Sequence, residues 1–148
     1  MAPTAEPFSY QMKHKIYLSG PLFSEAEISW GGNAKAFLEN RLENVEIVWP
    51  HEIPAPGASP GEIFQANLQA LQQCDLLVAI LDGPQVDDGV AWEVGYFFSQ
   101  GKMILGIRTD FRRAGEAAES RVNAMVECSC QAIAGSLDQL VLELKRFL

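Results

Sequence analysis

Positive charge is scarce in this chain of 148 residues. Lysine and arginine together number 11, against 19 aspartates and glutamates, so the formal net charge at pH 7 is −8. A protein that binds nucleic acid neutralises phosphates with a basic surface. We therefore expect no nucleic-acid partner.

Cysteine, histidine and long apolar runs are scarce as well. Three cysteines (Cys74, Cys128 and Cys130) are an odd number for a disulfide framework, and two histidines are too few to complete a zinc site with them. No apolar run approaches the ~20 residues of a membrane span, and no signal peptide is recognisable. We expect a cytoplasmic protein that has no metal and no membrane partner.

A dinucleotide-binding fingerprint is also missing. Gly20 stands alone after the first predicted strand, and the pattern Gly-x-Gly-x-x-Gly does not occur. NAD is therefore not expected, and neither is any other cofactor.

The composition is that of one folded domain. Hydrophobic residues make up 48% of the chain and charged residues 20%, which is typical of a globular protein long enough to bury a core. Residues 1–12 contain Pro3 and Pro7 and are interpreted as a flexible arm. The folded domain is predicted to span residues 13–148.

Strand and helix patterns alternate along this domain. Such alternation predicts a parallel sheet with helices on both faces, and the favoured strand order is 2-1-3-4-5. The predicted fold class is thus a single-domain α/β/α sandwich with five parallel strands, flavodoxin-like or more broadly Rossmann-like. The predicted strands are 15–19, 45–49, 75–81, 102–108 and one within 126–133, and the helices are about 25–43, 60–73, one between the acidic segment 82–88 and Gly101, and 136–148.

Local signals mark the helix ends and some irregular stretches. The pairs Ser24/Glu27 and Ser59/Glu62 predict capping boxes. The adjacent Gly31 and Gly32 are a candidate interruption of the first helix. Four prolines in residues 50–60 predict irregular backbone there.

Right-handed crossovers bring every strand-to-helix loop to one edge of the sheet, where ligands bind in such folds. This edge holds the loop 20–23, His51 in the proline-rich loop, and the acidic segment 82–88. It repels phosphate and suits a neutral ligand. Glu93 follows this segment among apolar neighbours. A carboxylate in such surroundings either has hydrogen-bonding or ionic partners or takes part in catalysis.

Two carboxylates with different roles suit glycosyl transfer. Glu93, near a helix N-terminus whose dipole favours the charged form, suits the nucleophile, and Asp87 can reach a leaving base as proton donor. The alternative makes Asp87 or Asp88 the helix N-cap and Glu93 a hydrogen-bonded core residue. The spacing of the acids leaves both interpretations open.

Four segments in a fixed order carry a family resemblance. They are Lys-Ile-Tyr-Leu-Ser-Gly-Pro-Leu-Phe at 15–23, Asn-Leu-Gln-Ala-Leu-Gln-Gln-Cys-Asp at 67–75, Asp-Asp-Gly-Val-Ala-Trp-Glu-Val-Gly-Tyr at 87–96, and Asn-Ala-Met at 123–125. The third segment is the most specific. From about residue 15 to 145, the chain resembles the nucleoside 2-deoxyribosyltransferase family.

The resemblance implies an enzyme whose partners are 2′-deoxynucleosides and free nucleobases. Glu93 matches the glutamate that attacks C1′, releases the base and leaves a covalent deoxyribosyl-enzyme. A second base then takes the sugar, with overall retention. Asp87 matches the aspartate that binds the base and is a candidate proton donor.

Further substrate-binding residues follow from the same resemblance. Tyr17 matches a tyrosine close to the nucleophile, and Phe23 an aromatic residue near the base. Asn123, with Met125 beside it, matches an asparagine that a neighbouring subunit supplies to the sugar 5′-hydroxyl, which implies a homo-oligomer, either a dimer or a hexamer. Asn67 stands where several members carry aspartate, and an amide can only position the substrate because it cannot deliver a proton. Gly20, His51 and Asp82, from the loops at the sheet edge, and Gly89, from the acidic motif, complete the predicted set.

Two other functions stay open. One is an N-glycosidase that hydrolyses 2′-deoxynucleoside 5′-monophosphates on the same fold; such enzymes tend to carry arginine in the first loop and serine where Asp87 stands, whereas residues 20–25 contain no cation. The other is a non-catalytic nucleotide-binding domain. Without the resemblance, Tyr17 and Phe23 can equally be packing residues and His51 a surface residue, while Trp92 is expected to pack on the sheet.

Overall fold

Strands and helices follow one another along residues 12–148, which are the residues that the computed structural model describes. The predicted arm, except for Met12, lies outside them and stays a prediction. Within the described part no helix is long and apolar enough to cross a bilayer. The elements in chain order are β1 (His14–Ser19), α1 (Glu25–Arg41), β2 (Val45–Val48), a 3-10 turn (Pro50–Glu52), α2 (Pro60–Gln73), β3 (Leu76–Ile80), α3 (Asp88–Ser99), β4 (Met103–Ile107), α4 (Ala124–Glu127), β5 (Ala132–Ala134) and α5 (Leu137–Leu144).

The five strands form one sheet in the order β2-β1-β3-β4-β5, and every neighbouring pair is parallel. The predicted fold class and strand order are confirmed. The strand order reverses between β1 and β3, where Ser19 pairs with Ala79 near the carboxyl ends of both strands. Open α/β sheets bind ligands in the crevice at such a point.

Alternation along β1 sends successive side chains to opposite faces of the sheet. Ile16 and Leu18 belong to the core that α1 and α5 cover. Tyr17 belongs to the second core, which also contains Leu71 of α2 and Val94 of α3. The face that carries Tyr17 therefore meets the helix that carries Glu93.

Helix α1 runs through Gly31 and Gly32 without a break. The predicted interruption was wrong because these glycines serve packing. A Cβ at position 31 would lie 2.9 Å from the Trp49 ring, so the missing side chain makes room for the indole.

The helix termini follow the sequence signals closely. Both predicted capping boxes form, with Ser24 and Ser59 as N-caps. Gly101 follows α3 with φ of 66°, a conformation that glycine adopts at little cost. Its N–H donates to the carbonyl of Phe98, and the Lys102 N–H donates to the carbonyl of Phe97.

Two local predictions need correction. The proline-rich stretch contains a regular turn at Pro50–Glu52, because a proline at the first position of a helical turn needs no N–H donor. The fifth strand occupies only the end of the predicted range 126–133 and extends to Ala134. Val126, at the start of that range, belongs to the short helix α4, because a short apolar run fits either element and Asn123 provides the N-cap that favours the helix.

Candidate active site

Glu93 lies on α3 with its carboxylate directed toward the end of β1. Its Oε1 atom accepts a hydrogen bond of 3.0 Å from the hydroxyl of Ser19, a residue that is completely buried. Its Oε2 atom is buried and has no hydrogen-bond partner among the described residues. The two oxygens of the carboxylate therefore have different environments.

Burial raises the pKa of Glu93 from its ordinary value to about 7. Tyr17 and Ser19 oppose this rise because they favour the charged form, and the negative charge of Asp87 adds to it. A carboxyl group with such a pKa is half ionised near neutral pH. Perturbed carboxyl groups of this kind are common at catalytic sites.

Tyr17 lies beneath Glu93 on the buried face of β1. Burial raises the pKa of its phenol, and the negative charge of Glu93 raises it further. The two groups are close enough to influence each other, yet the Tyr17 hydroxyl completes no hydrogen bond of standard geometry within residues 12–148. The phenol stays protonated and is available as a neutral donor.

An apolar cavity of about 440 Å³ opens beside Glu93, between α2 and α3. This volume lies within the range of small-molecule sites, about 300–1,000 Å³. Asn67 and Gly89 line it as well, and the Asn67 Oδ1 atom is buried without a described partner. Most of the wall comes from Ile63, Phe64, Leu68, Leu71 and Trp92.

Two polar atoms on the wall of this cavity, Asn67 Oδ1 and Glu93 Oε2, have no hydrogen-bond partner within residues 12–148, and the same holds for the Tyr17 hydroxyl, which lies beneath Glu93 and does not line the cavity. Buried polar groups are nearly always hydrogen-bonded, and each exception calls for an explanation. A ligand with hydrogen-bond donors and an apolar body would satisfy the two wall oxygens and fill the space beside them.

Asp87 is the N-cap of α3, as one of the sequence alternatives held. Its Oδ2 atom accepts a 3.0 Å hydrogen bond from the Val90 N–H. A Cβ at Gly89 would lie 3.1 Å from the same oxygen, so glycine leaves room for the cap. The capping role and an electrostatic effect on Glu93 coexist at this residue.

Two predicted site residues take part in the framework of the sheet edge. Asp82 accepts hydrogen bonds from the Thr109 N–H, the Thr109 hydroxyl and the Asp110 N–H, at 2.6, 2.9 and 2.8 Å. It thereby ties the end of β3 to the segment after β4. Gly20 packs so closely on Ile80 that a Cβ would lie 3.0 Å from the Ile80 side chain.

Two predicted aromatic ligands lie outside the cavity in the single chain. Phe23 is 81% exposed in the loop after β1. The His51 ring packs against Trp49, with the ring centres 4.7 Å apart, at an exposed position. Neither side chain lines the cavity beside Glu93.

Asn123 and Met125 also lie away from the cavity of their own chain. Asn123 caps α4, with its Oδ1 accepting from the Met125 N–H at 2.9 Å and its Nδ2 donating to Glu116 Oε1 at 2.6 Å. Met125 is 80% exposed. The geometry thus presents both residues at the surface.

Trp92 does not pack on the sheet, and the prediction that it would was wrong. It is 48% exposed, stacks on Tyr96 with ring centres 5.6 Å apart, and meets the edge of Phe64. The sheet-facing positions of α3 are taken by Val90, Val94 and Phe97, which recur at helical spacing.

Ser19 is the site residue that the sequence interpretation missed. The available signal was its position two residues after Tyr17 in a strand, which places both side chains on one face. No cluster of His, Cys, Asp or Glu suited to a metal ion occurs in the described part of the chain.

Sequence comparison with known proteins finds a family and a relative that are both named for 2-deoxyribose compounds. The sequence model for nucleoside 2-deoxyribosyltransferase matches residues 16–125. A putative 2′-deoxynucleoside 5′-phosphate N-hydrolase 1 from Thermofilum pendens is 27% identical over 99 residues, which cover 63% of this chain and 66% of the relative.

Solved structures share the fold over nearly their whole length. A conserved protein from Enterococcus faecalis is 28% identical with a TM-score of 0.76, and the alignment covers 92% of this chain and 99% of that one. A 2-deoxyribosyltransferase from Leishmania mexicana is 20% identical with a TM-score of 0.74, over 91% and 99% of the two chains.

Proposed function

This chain belongs to the nucleoside 2-deoxyribosyltransferase family, and from that premise we propose that it exchanges the nucleobase of 2′-deoxyribonucleosides. The family match supports an enzyme of the deoxyribosyltransferase or related N-hydrolase kind. The observation that carries the finer proposal is Glu93 Oε2, a buried carboxylate oxygen at the edge of an apolar cavity that has no hydrogen-bond partner within residues 12–148.

In the proposed reaction Glu93 Oε2 attacks C1′ of the sugar. The bond between C1′ and the base nitrogen breaks, its electron pair leaves with the base, and a glycosyl ester forms on Glu93. A second base then attacks C1′ from the face that the first one left, which breaks the ester and regenerates the carboxylate, and the ring N–H proton of this base passes to the group that protonated the first one. Two such displacements give retention of configuration.

The departing base needs a proton on one of its own nitrogen or oxygen atoms, because otherwise it would leave as an anion. Asp87 is our candidate donor: it takes up a proton from solvent and passes it to the base. Its charge acts on Glu93, and one of its oxygens lies outside the capping bond. Asn67 holds the base by hydrogen bonding, because its amide cannot supply a proton. The apolar wall between α2 and α3 gives the flat base its packing surface.

Unphosphorylated nucleosides are the proposed substrates. The loop 20–25 contains no lysine or arginine, and the negative charge of Asp87 beside Glu93 would repel a phosphate. Hydrolysis of 5′-monophosphates is the second candidate, favoured by the Thermofilum pendens relative. In that case water takes the place of the second base.

A neighbouring subunit is proposed to complete the site. Asn123 and Met125 are exposed and lie outside the cavity of their own chain. Phe64 and Trp92 leave apolar surface at the cavity rim, 47% and 48% exposed. A homo-oligomer in which Asn123 of one chain reaches the sugar of the next would account for both features.

One incubation separates these candidates. The protein is given deoxyinosine and free adenine, and the products are resolved by chromatography. Base exchange produces deoxyadenosine and hypoxanthine, whereas hydrolysis produces hypoxanthine and free deoxyribose only. A parallel reaction with deoxyinosine 5′-monophosphate tests the second candidate. An unchanged substrate in both reactions would exclude an N-glycosidic activity on these bases.

A further inference from the structure

The hydroxyl of Ser19 donates a hydrogen bond to a side-chain carboxylate, which is unusual for a buried serine. Most side-chain hydrogen bonds in proteins go to backbone groups or water. Ser19 is completely buried at the end of β1, and its hydroxyl donates instead to Glu93 Oε1 on α3 at 3.0 Å. The bond joins residues 74 positions apart in sequence.

This bond distinguishes the two oxygens of the Glu93 carboxylate. Oε1 is engaged by Ser19, and Oε2 has no partner within residues 12–148. A hydrogen bond draws electron density from the oxygen that accepts it, so Oε2 is the stronger nucleophile of the two. The same bond limits rotation of the carboxylate about its terminal torsion, which is otherwise broad.

We propose that Ser19 is a positioning residue, which holds Glu93 by Oε1 so that the charged carboxylate presents Oε2 to the sugar. The inference deepens the proposed function and rests on it. Ser19 does not touch the reacting atoms; it acts through Glu93.

The charged and titratable groups around Glu93 give this role a measurable consequence. β1 contributes Tyr17 and Ser19, the start of α3 contributes Asp87, and α2 contributes the neutral Asn67 but no titratable side chain to the cavity wall. Ser19 lowers the pKa of Glu93 against the effects of burial and of Asp87. Its removal should therefore raise that pKa without changing any formal charge.

The test compares Ser19→Ala with Ser99→Ala as matched control. Ser99 lies on the same helix as Glu93, but its hydroxyl donates to the Tyr96 carbonyl at an exposed position. Two quantities are measured in each protein: the titration midpoint of Glu93 by carbon NMR of labelled glutamate, and kcat and KM for base exchange across pH 5.5–9.

In Ser19→Ala we expect both the NMR midpoint and the acid limb of kcat to move up by about one pH unit, the value of one hydrogen bond to a charged group. At pH 6 kcat should fall about tenfold, while KM changes little. Ser19→Thr, which keeps a hydroxyl, should bring the midpoint back toward the wild-type value. Ser99→Ala should behave as wild type.

A folded Ser19→Ala protein with an unshifted Glu93 midpoint would overturn the inference. This result is distinguishable from failure of the proposed function, because the NMR titration needs no turnover. A wild-type protein that exchanges no base would reject the function, whereas an unchanged midpoint in an active variant rejects only the role of Ser19.

Discussion

The hydroxyl of Tyr17 and the Oε2 atom of Glu93 are both buried on the same side of the sheet, and each lacks a hydrogen-bond partner within residues 12–148. An unsatisfied buried polar group costs about 1–3 kcal/mol of stability. We therefore expect these two groups to serve the proposed reaction at some cost to the stability of the fold. Catalysis and folding stability should therefore respond in opposite directions to substitutions here.

Replacement Tyr17→Phe tests the first member of this pair. Because the hydroxyl completes no hydrogen bond of standard geometry within residues 12–148, its removal should leave the free energy of unfolding unchanged or raise it by up to about 1 kcal/mol. Base exchange should fall at least about tenfold, the loss expected for one hydrogen bond to a charged group. Chemical denaturation and steady-state kinetics measure the two effects, with Tyr96→Phe as control. A strong loss of stability would show that the hydroxyl serves the fold.

Replacement Glu93→Gln tests the second member through the pH dependence of stability. The folded-state pKa of about 7 lies above the ordinary value of 4.5, so the folded protein retains a proton that the unfolded chain releases between these pH values. The free energy of unfolding should therefore decrease as pH rises from 4.5 to 7 and level off above 7.

The glutamine variant lacks this titration. Above pH 7 it should be more stable than wild type by up to about 3 kcal/mol, and base exchange should be lost. Melting curves from pH 4.5 to 9 measure the effect, and Asp88→Asn, an exposed neighbour on α3, provides the control. Parallel stability profiles for wild type and Glu93→Gln would contradict the raised pKa.

The architecture could be predicted because each of its signals is local. A capping box such as Ser24/Glu27 spans four residues, and the alternation of β1 needs only its own side chains. Strand order then follows from the crossover rules and from the choice of a common topology. Asn123 was noticed through the resemblance, but the helix that it caps was missed because four residues of α4 give no periodicity.

The environment of Glu93 is less accessible to sequence reasoning. Its hydrogen bond to Ser19 depends on how α3 lies over the sheet, and nothing within either segment specifies that distance. Trp92 shows the same difficulty, because the helix could turn either Trp92 or Val94 to the sheet. The smaller Val94 fills the buried position, and Trp92 remains at the cavity rim.

Asp87 combines a structural and a proposed chemical role, which two substitutions can separate. Asparagine also caps helices well, so Asp87→Asn should retain stability, whereas Asp87→Ala should lose about 1 kcal/mol. Both variants should lose base exchange, most strongly with bases that are poor leaving groups, if Asp87 supplies the proton. Because the charge of Asp87 raises the pKa of Glu93, the acid limb of the remaining activity should move to lower pH. Equal losses with all bases would argue against proton donation.

Mixing experiments test whether neighbouring chains share a site. Asn123 and Glu93 are proposed to serve the same sugar from different subunits, so Asn123→Ala and Glu93→Gln should each be inactive alone. After subunit exchange in an equal mixture, about half of the dimers contain one subunit of each variant. In each of these mixed dimers one of the two sites carries both wild-type residues, so about a quarter of all sites should recover activity. Because Asn123 also caps α4, Asn123→Asp serves as a second variant that retains the cap. Activity is measured before and after exchange, and exchange itself is followed by native mass spectrometry. If mixed oligomers form but no activity is recovered, Asn123 and Glu93 do not serve one site from different subunits.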